Sequence, residues 1–368
     1  MMDLKTRIFL KKKFKEYYFR NNVPAPAEVS IREFGVGTLD DKIRVRHKSF
    51  ESQKELTNYL KREAPFFISY SAAYYEYPTN QPMDAKNWDG ADLVFDLDTD
   101  VDYLSREKME KVKRQTRNLM EFLTDDFNFP SGEIRMNFSG GKGYHIHVIS
   151  EGARYLDGQG RREVIDYITG TGLDLKLFLS GGEGMTRGPR SGDRGWAGRI
   201  YDATYDVITE NDPKMLKQIP GIGEKTAAQL IRDRQKNIKS LERGQWDGLL
   251  HLSNGLKQRI VEEKAINLIG DTDRMVTLDT SRLMRLPDSL HGGTGLKAMT
   301  IKDLDAFDPL EDAVVFPTTM IDLEIGKDIP KFELGGEKHG PYRTGERVSL
   351  PEYAGVYLML KGSAMLAD

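Results

Sequence analysis

Two aspartates two residues apart, Asp96 and Asp98, stand at the end of an apolar run that begins at Leu93. Alternate side chains of a strand point to the same face, so the two carboxylates would share one face while Leu93, Phe95 and Leu97 take the other. Their α-carbons would be ~6.7 Å apart. Both carboxylates could then bind a pair of divalent ions, which lie ~3.5–4 Å apart in two-metal sites. The spacing therefore indicates a candidate catalytic metal site.

Two other interpretations of these acids stay open. An acidic strand end exposed to water needs no metal, and paired aspartates are common on protein surfaces. A calcium loop would use ligands at the spacing of Asp96, Asp98, Asp100 and Glu107, but its sixth position requires glycine and here holds Val101. A strand-like run, rather than a helix, also enters this loop. The calcium loop is therefore incomplete.

A glycine-rich turn and a strand with two histidines form the second motif, 139–147, of sequence Ser-Gly-Gly-Lys-Gly-Tyr-His-Ile-His. Such a turn exposes backbone N–H groups to an anion, and Lys142 adds a positive charge for phosphate. His145 and His147 would share one face of the strand. They could be metal ligands or simply hydrogen-bonded strand residues.

A third acid, Asp279, precedes basic residues and a second glycine-rich turn from His291 to Gly295. We predict a strand over 275–279, which would place Asp279 at a strand end where it could complete a three-carboxylate site. The alternative is an aspartate that caps a helix ahead of an ordinary amphipathic turn.

The elements that must position these motifs are short and mixed. An amphipathic pattern predicts a first helix over 7–19. Apolar and alternating runs predict strands at 29–34, 42–45, 66–70, 92–97, 134–138 and 144–149, with helices at 54–62 and 106–123. Strand patterning returns at 275–279, 313–316, 331–334 and 355–360. This interleaving predicts an α/β fold of the mixed, α+β type.

Two segments interrupt that pattern. Seven glycines between 181 and 198, together with Arg187, Arg190, Arg194 and Arg199, predict a flexible basic loop. Several short helices are predicted over 206–269. We therefore expect a catalytic domain formed by 1–205 and 270–368, with a small inserted helical domain at 206–269.

Composition bounds the function classes. A chain of 368 residues is long enough for about two compact units. It has no cysteine, which excludes disulfides and cysteine zinc sites.

No apolar run reaches the length of a membrane span, and lysines interrupt the N-terminal stretch where a signal peptide would be apolar, so we expect a cytoplasmic protein with no membrane contact. The net charge of −3 gives no overall attraction to nucleic acid. Local basic runs at 1–20 and 214–264 suit either a solvated face or a phosphate-contacting surface.

The three motifs, in this order and with these spacings, resemble the signature of the archaeal-eukaryotic DNA primase small subunit, of the archaeal type. Further matches lie at 32–35, 46–50, 74–76, 88–92 and from 334–336 through 357–360, so the resemblance covers nearly the whole chain. It implies a primase-type catalytic domain with mixed sheets flanked by helices. The activity implied is template-directed synthesis of RNA or DNA primers on single-stranded DNA by nucleotidyl transfer.

The resemblance also implies roles for individual residues. Catalytic divalent ions, magnesium or manganese in a two-metal site, would be held by Asp96, Asp98 and Asp279. The incoming nucleoside triphosphate would contact Ser139, Lys142, His145, Arg285 and His291, and Arg32 matches a phosphate contact of the family. The partners implied are a primase large subunit, forming a heterodimer, the single-stranded DNA template and nucleoside triphosphates.

One departure concerns zinc. Family members usually carry a Cys/His zinc knuckle shortly after the Asp-x-Asp strand, whereas 100–123 contains neither residue type. A helix is expected in its place, and no zinc is expected on cysteine ligands.

A separate motif at 219–230 resembles a helix-hairpin-helix element. Its turn, Gly221 and Gly223 followed by Lys225, would present free N–H groups at a helix N-terminus to a DNA phosphate. The same hairpin also occurs as a packing unit without DNA contact.

Three alternative functions remain. A repair or plasmid primase-polymerase of the same superfamily would share the motifs, but the C-terminal matches favour the small subunit. A non-catalytic DNA-binding subunit would not need three acids and two nucleotide motifs. A phosphoesterase can also use two metals; chain extension distinguishes it from a polymerase.

Overall fold

The computed structural model describes residues 2–182, 185–268 and 270–367. Its helices are α1 (Leu4–Arg20), α2 (Gln53–Glu63), α3 (Arg106–Glu121), α4 (Glu151–Arg154), α5 (Gly158–Ile168), α6 (Gly195–Thr209), α7 (Pro213–Leu216), α8 (Glu224–Arg232), α9 (Arg234–Glu242), α10 (Ser253–Lys264), α11 (Gly270–Leu278) and α12 (Glu352–Leu360). Its strands are β1 (Phe34–Gly37), β2 (Val45–Lys48), β3 (Phe67–Ser71), β4 (Ala73–Tyr75), β5 (Trp88–Ala91), β6 (Leu93–Asp98), β7 (Ile134–Phe138), β8 (Gly143–Val148), β9 (Leu283–Arg285), β10 (Met299–Ile301), β11 (Met320–Ile325), β12 (Phe332–Leu334), β13 (Glu337–His339), β14 (Arg347–Pro351) and β15 (Ala364–Leu366).

The strands form several small sheets with helices beside them. Two have four strands, in the orders β2-β1-β3-β9 and β10-β7-β8-β6; the others are β14-β11-β15, β12-β13 and β4-β5. The strand pairs are antiparallel. The prediction of a mixed α/β fold is confirmed.

The sheet β10-β7-β8-β6 carries two of the sequence motifs. Strand β6 pairs with β8 so that Asp96 lies opposite His145 and Asp98 lies opposite Gly143. Strand β8 is buried along its whole length, and the apolar residues of β6 are buried as well. Only the two aspartates of β6 are partly exposed. The alternation that predicts a shared carboxylate face is therefore realised.

The chain divides into two compact units. The larger comprises 1–116, 131–161 and 268–368, and the smaller comprises 117–130 and 162–267. The smaller unit is helical around a core that includes Trp196, Ile200, Leu230, Leu241 and Ile260. It extends beyond the expected insertion at 206–269, because α6 runs through residue 206 and packs against α9 and α10. The division into a catalytic domain and an inserted helical domain stays a prediction.

Two predicted strands are wrong because both segments are helical. The segment 275–279 is the last turn of α11 and the residue after it, and 355–360 lies within α12. Eight consecutive residues of α12, from Glu352 to Met359, are buried. A helix buried on all sides has no amphipathic period, so a short apolar window does not distinguish it from a buried strand.

Smaller differences occur elsewhere. The segment 29–34 is a 3₁₀ turn, Val29–Ile31, with β1 starting only at Phe34, and 313–316 contains no strand. Part of the glycine-arginine stretch is ordered locally, because Ser180 and Arg187 exchange two backbone hydrogen bonds and α6 begins at Gly195. Residues 183–184 of that stretch lie outside the described residues. Helix α3 occupies the place of the absent knuckle, as expected. None of the described helices combines the length and apolar character that crossing a membrane requires.

Candidate active site

A cavity of about 660 Å³ in the larger unit collects most of the residues expected at the site. Its walls come from β6, β8, β9, the two glycine-rich turns and the ends of α11 and α12. Eight predicted site residues line it: Asp96, Asp98, Ser139, Lys142, His145, Asp279, Arg285 and His291. The fold thus brings three distant segments of the sequence to one place.

The two β6 carboxylates have different neighbours. Asp96 Oδ1 lies 3.4 Å from His145 Nε2 on the adjacent strand, and its side chain is 19% exposed. Asp98 Oδ2 lies 4.0 Å from the Lys142 ammonium, and its side chain is 30% exposed. Both carboxylates therefore combine a cationic or polar neighbour with access to the cavity.

Gly143 explains how Asp98 reaches this position. A Cβ at residue 143 would stand 2.0 Å from the Leu97 carbonyl oxygen and 2.3 Å from Asp98 Oδ1. Any side chain there would push β6 away from β8. The sequence indicated that the turn as a whole exposes N–H groups to an anion, whereas the structure gives Gly143 a packing function beside the carboxylate.

Asp279 reaches the cavity from a helix end and not from a strand end. Its N–H donates to Met275 O at 2.8 Å, which closes the last turn of α11. Its Oδ1 accepts hydrogen bonds from the Ser281 N–H, at 2.9 Å, and from the Ser281 hydroxyl, at 2.7 Å. This turn fixes the carboxylate that the sequence placed on a strand.

The three aspartates share the cavity without forming a finished metal cage. Among the described residues, no three His, Asp or Glu side chains gather closely enough to hold an ion by themselves. A bound divalent ion would have to complete its shell with substrate phosphate oxygens and water, which is the usual behaviour of magnesium.

The glycine-rich turn at 139–143 is held by its own serine. Ser139 Oγ accepts hydrogen bonds from the N–H groups of Gly141, at 3.1 Å, and Gly143, at 3.3 Å. These two N–H groups are therefore engaged, contrary to the expectation that they face an anion. What the turn presents to the cavity is the Lys142 ammonium and the Ser139 side chain.

The second turn docks against the first. His291 Nδ1 accepts a hydrogen bond from the Gly293 N–H at 3.2 Å, so the ring proton belongs on Nε2. The Thr294 hydroxyl donates to Gly140 O at 2.5 Å. A Cβ on Gly140 would stand 2.9 Å from His291 Cβ. The absence of a side chain at residue 140 thus lets the two turns approach and places His291 at the cavity.

Burial and positive charge keep the site histidines neutral. Burial lowers the pKa of His145 to about 3, and electrostatic interactions with His147, Arg285 and Arg282 act in the same direction. Burial, with Arg285 as the next contributor, holds the pKa of His291 well below its usual value. Both rings therefore act as hydrogen-bonding groups near neutral pH.

The positive charge of Arg285 is not balanced by a nearby carboxylate of the described residues. Burial lowers its pKa to about 10, and its guanidinium lies 5.0 Å from the Phe67 ring centre and 3.5 Å from Ile68 O. No described carboxylate lies within ion-pair distance of it. A desolvated arginine without a carboxylate partner favours an anionic ligand.

The cavity is also lined by four cationic side chains that the sequence analysis did not propose as site residues: Lys42, Arg46, Arg282 and Lys361. Arg46 is engaged, since it bonds the Glu33 carboxylate at 2.6 Å and Ser281 O at 2.9 Å. Arg282 follows Asp279 by three residues, a signal that was available from the motif. Lys361 follows α12, and the wrong strand assignment at 355–360 hid its position.

Arg32 does not lie in the cavity, which corrects the phosphate contact expected of it. Its side chain is 1% exposed, donates to Ser71 O at 2.9 Å and Ala72 O at 2.7 Å, and pairs with Asp92 at 3.1 Å. Its guanidinium also stacks on Tyr74, 3.5 Å from the ring centre. Arg32 is therefore a buried structural residue beside the start of β6.

The hairpin at 219–230 lies in the smaller unit. Ile219 and Ile222 are buried, whereas Gly221, Gly223 and Lys225 are exposed. Gly221 has the left-handed φ of +84°, but Gly223 has the ordinary φ of −82° and forms the N-cap of α8 without a side-chain cap. The hairpin geometry is present; DNA contact stays a prediction.

Comparison with known proteins adds the family. A family model described as DNA primase small subunit matches residues 95–301. The DNA primase small subunit PriS of Methanothrix thermoacetophila is 40% identical over 99% of both chains. The chain belongs to the DNA primase small subunit family. Family proteins from Methanococcoides burtonii and Halobacterium salinarum are 37% and 34% identical, again over 99% of both chains.

Membership confirms the resemblance and identifies the class of enzyme. The chain is a catalytic subunit of a DNA primase, which is a nucleotidyltransferase. The family uses divalent metal ions. The matched segment contains all three aspartates and both glycine-rich turns.

Proposed function

We propose that this cavity joins nucleotides on a single-stranded DNA template by two-metal nucleotidyl transfer. The observation that carries the proposal is the convergence of Asp96, Asp98 and Asp279 with uncompensated cations in one cavity of about 660 Å³. This volume lies within the range of small-molecule pockets. Carboxylates beside cations suit a substrate that brings both metal ions and a triphosphate.

Magnesium or manganese would be held by the three aspartates, since oxygen-only ligation favours these ions over zinc. When bound, they would ease deprotonation of the attacking hydroxyl and offset charge on the oxygens of the displacement. The carboxylates are fixed before any ion arrives: Asp98 by the close approach at Gly143, and Asp279 by its bonds to Ser281.

The incoming nucleoside triphosphate would contact Ser139, Lys142, His145, Arg285 and His291. In the reaction, a 3′-hydroxyl forms a bond to the α-phosphorus, the bond to the bridging oxygen breaks, and pyrophosphate leaves in line. Lys142 and Arg285 offset the growing negative charge of pyrophosphate. His291, neutral with its proton on Nε2, can donate one hydrogen bond to a phosphate oxygen.

We further propose that the chain works as a heterodimer with a primase large subunit. The relatives' name, small subunit, supports a larger partner. We also propose that the exposed turn of Gly221, Gly223 and Lys225 touches template phosphate, because an uncapped helix N-terminus offers N–H groups to an anion.

The test is primer synthesis by the purified chain on single-stranded DNA, with ribonucleotides or deoxynucleotides and with or without the large subunit. Asp96→Asn, Asp98→Asn and Asp279→Asn should each reduce synthesis by about a thousandfold or more while the protein stays folded, because one missing ligand disables the shared site. Their effects should not add. Normal extension by Asp279→Asn would remove that residue from the site, and hydrolysis of the template without extension would indicate a phosphoesterase.

A further inference from the structure

A second groove in the larger unit opens from the active-site cavity. It has a volume of about 630 Å³ and shares Val101, Asp102 and Lys361 with the cavity. Its other walls come from the loop before α3, the first turns of α3 and the segment between β11 and β12. We call it the lysine groove, after Lys108, Lys327, Lys331 and Lys361.

The lysines of this groove lack anionic partners. In the part of the chain that the structure describes, no carboxylate lies within ion-pair distance of any of the four ammonium groups. Two acids line the groove, Asp102 and Asp328, so four positive and two negative groups leave a net charge of +2. Asp328 is already engaged, since it accepts hydrogen bonds from Thr344 and Arg343. The groove therefore presents unneutralised positive charge.

Lys361 connects the lysines of the cavity electrostatically with those of the groove. Burial lowers the pKa of Lys361; Asp102 opposes this, while Lys142, Lys327 and Lys42 lower it further. Of these three lysines, two line the cavity and one lines the groove. An anionic chain that passes from the cavity to the groove would meet Lys361 where the two join.

We propose that the lysine groove holds the backbone of the single-stranded template that has not yet been copied. This inference rests on the proposed function. In an in-line displacement pyrophosphate leaves on the side opposite the attacking 3′-hydroxyl, so the primer lies away from Lys142, one of the two residues proposed to offset the charge of pyrophosphate. The groove shares Lys361 with the cavity, and Lys142 lies close enough to Lys361 to influence it electrostatically, so we assign the groove to the side on which pyrophosphate leaves. The strand that continues there is the uncopied template.

The chemistry of the groove suits a single strand. Lysine ammonium groups are point charges that bind backbone phosphate without reading the base sequence. The half-buried ring of Tyr103 also lines the groove and is held in place by a 2.8 Å contact of its hydroxyl with Ser363 Oγ. An aromatic ring beside a basic track offers a stacking surface for an unpaired base.

The decisive variant combines Lys108→Gln, Lys327→Gln and Lys331→Gln. All three side chains are exposed, so folding should not change, and Lys361 is left intact because it also lines the cavity. Binding to a labelled primer-template with a long single-stranded 5′ template overhang is measured by fluorescence anisotropy over a range of salt. Affinity should fall about tenfold, and the slope of log affinity against log salt should be shallower by about 2, at ~0.7 per lost phosphate contact.

Two controls locate the effect. A charge-matched variant, Lys54→Gln with Lys176→Gln and Lys302→Gln, changes exposed lysines that line neither cavity nor groove and should bind like the parent. On a primer-template with a single-nucleotide overhang, the groove variant should also match the parent. Equal losses in both triple variants, or a loss that persists on the short overhang, would overturn the proposal.

A separate measurement tests whether the groove binds free pyrophosphate instead of template. If the groove is instead an exit for pyrophosphate, the groove variant should keep its affinity for DNA and lose inhibition by added pyrophosphate, which overturns the template assignment. Failure of the proposed function is separate: a parent protein that binds the long overhang but extends no primer refutes the catalytic proposal, whatever the groove variant does.

Discussion

Two glycine-rich turns of this molecule look alike in sequence and differ in their surroundings. The turn at 140–143 lies in the larger unit against the Asp98 carboxylate and the turn at 291–295, where added Cβ atoms would collide with Asp98 or His291. The turn at 221–223 lies in the smaller unit, and a Cβ on Gly221 or Gly223 would meet nothing within 4 Å. Both were interpreted from sequence as phosphate-binding turns.

The difference teaches that glycine serves two physical needs. In the first turn it creates space for other groups, and its N–H groups at 141 and 143 are already bonded to Ser139. In the turn at 221–223 the backbone itself is exposed, so any ligand would contact the N–H groups directly. A glycine-rich turn therefore indicates phosphate binding only when its backbone N–H groups are accessible.

The largest effect is expected from Gly143→Ala compared with Gly223→Ala. The methyl group at residue 143 would push β6 and Asp98 away from β8, and a displacement of about 1 Å at a reacting centre costs about a hundredfold in rate. Gly223→Ala should leave synthesis unchanged, since space is open and φ is ordinary. Primer extension and urea unfolding of both proteins check this. Parent-like activity of a folded Gly143→Ala protein would show that Asp98 does not depend on this contact.

A smaller effect is expected from Lys142→Ala and His291→Ala, the side chains that the two docked turns present to the cavity. Each should lower kcat/KM for nucleotide by about tenfold, the usual result of losing one hydrogen bond to a charged group. Template affinity, measured separately, should stay the same. A variant with weaker template binding and normal nucleotide kinetics would place that residue on the DNA path.

The pH dependence of stability should also distinguish the docked turn. Because the folded pKa of His291 lies well below the ordinary value of 6.5, the unfolded chain binds more protons as pH falls below 6.5. His291 therefore costs stability in acid, by about 1.4 kcal/mol per pH unit in the window below 6.5. Urea unfolding of the parent and of His291→Asn should show a shallower loss for the variant. Parallel curves would mean that His291 titrates normally when folded.

The smallest effect is expected at the open turn. Gly223→Val introduces a side chain where φ is −82° and no neighbour lies within 4 Å, so it should fold like the parent and only obstruct a phosphate. We expect template affinity to fall about threefold, with a salt slope shallower by about 0.7. Unchanged affinity and slope would show that this hairpin packs helices without holding DNA.

The local sequence pattern was enough to predict several strands, the shared carboxylate face and the family. The alternation from Leu93 to Asp98 predicts the strand and its carboxylate face, and the segments 134–138 and 144–149 are strands within one residue of expectation. The order and spacing of the three motifs were enough to indicate the family. These features depend on period and residue type, which act within a few neighbouring residues.

Tertiary structure decided the rest, because burial and approach depend on residues far away in sequence. Arg32 is a buried partner of Asp92, although the family resemblance implied a phosphate contact for it. Helix α12 is apolar on every side, so no period marked it, and its end delivers Lys361 to the cavity. Asp279 stands at a helix end that only the packing of α11 on β6 brings beside Asp96 and Asp98 in one cavity. The three aspartates could be predicted from the sequence, whereas the cavity that they share forms only when the chain folds.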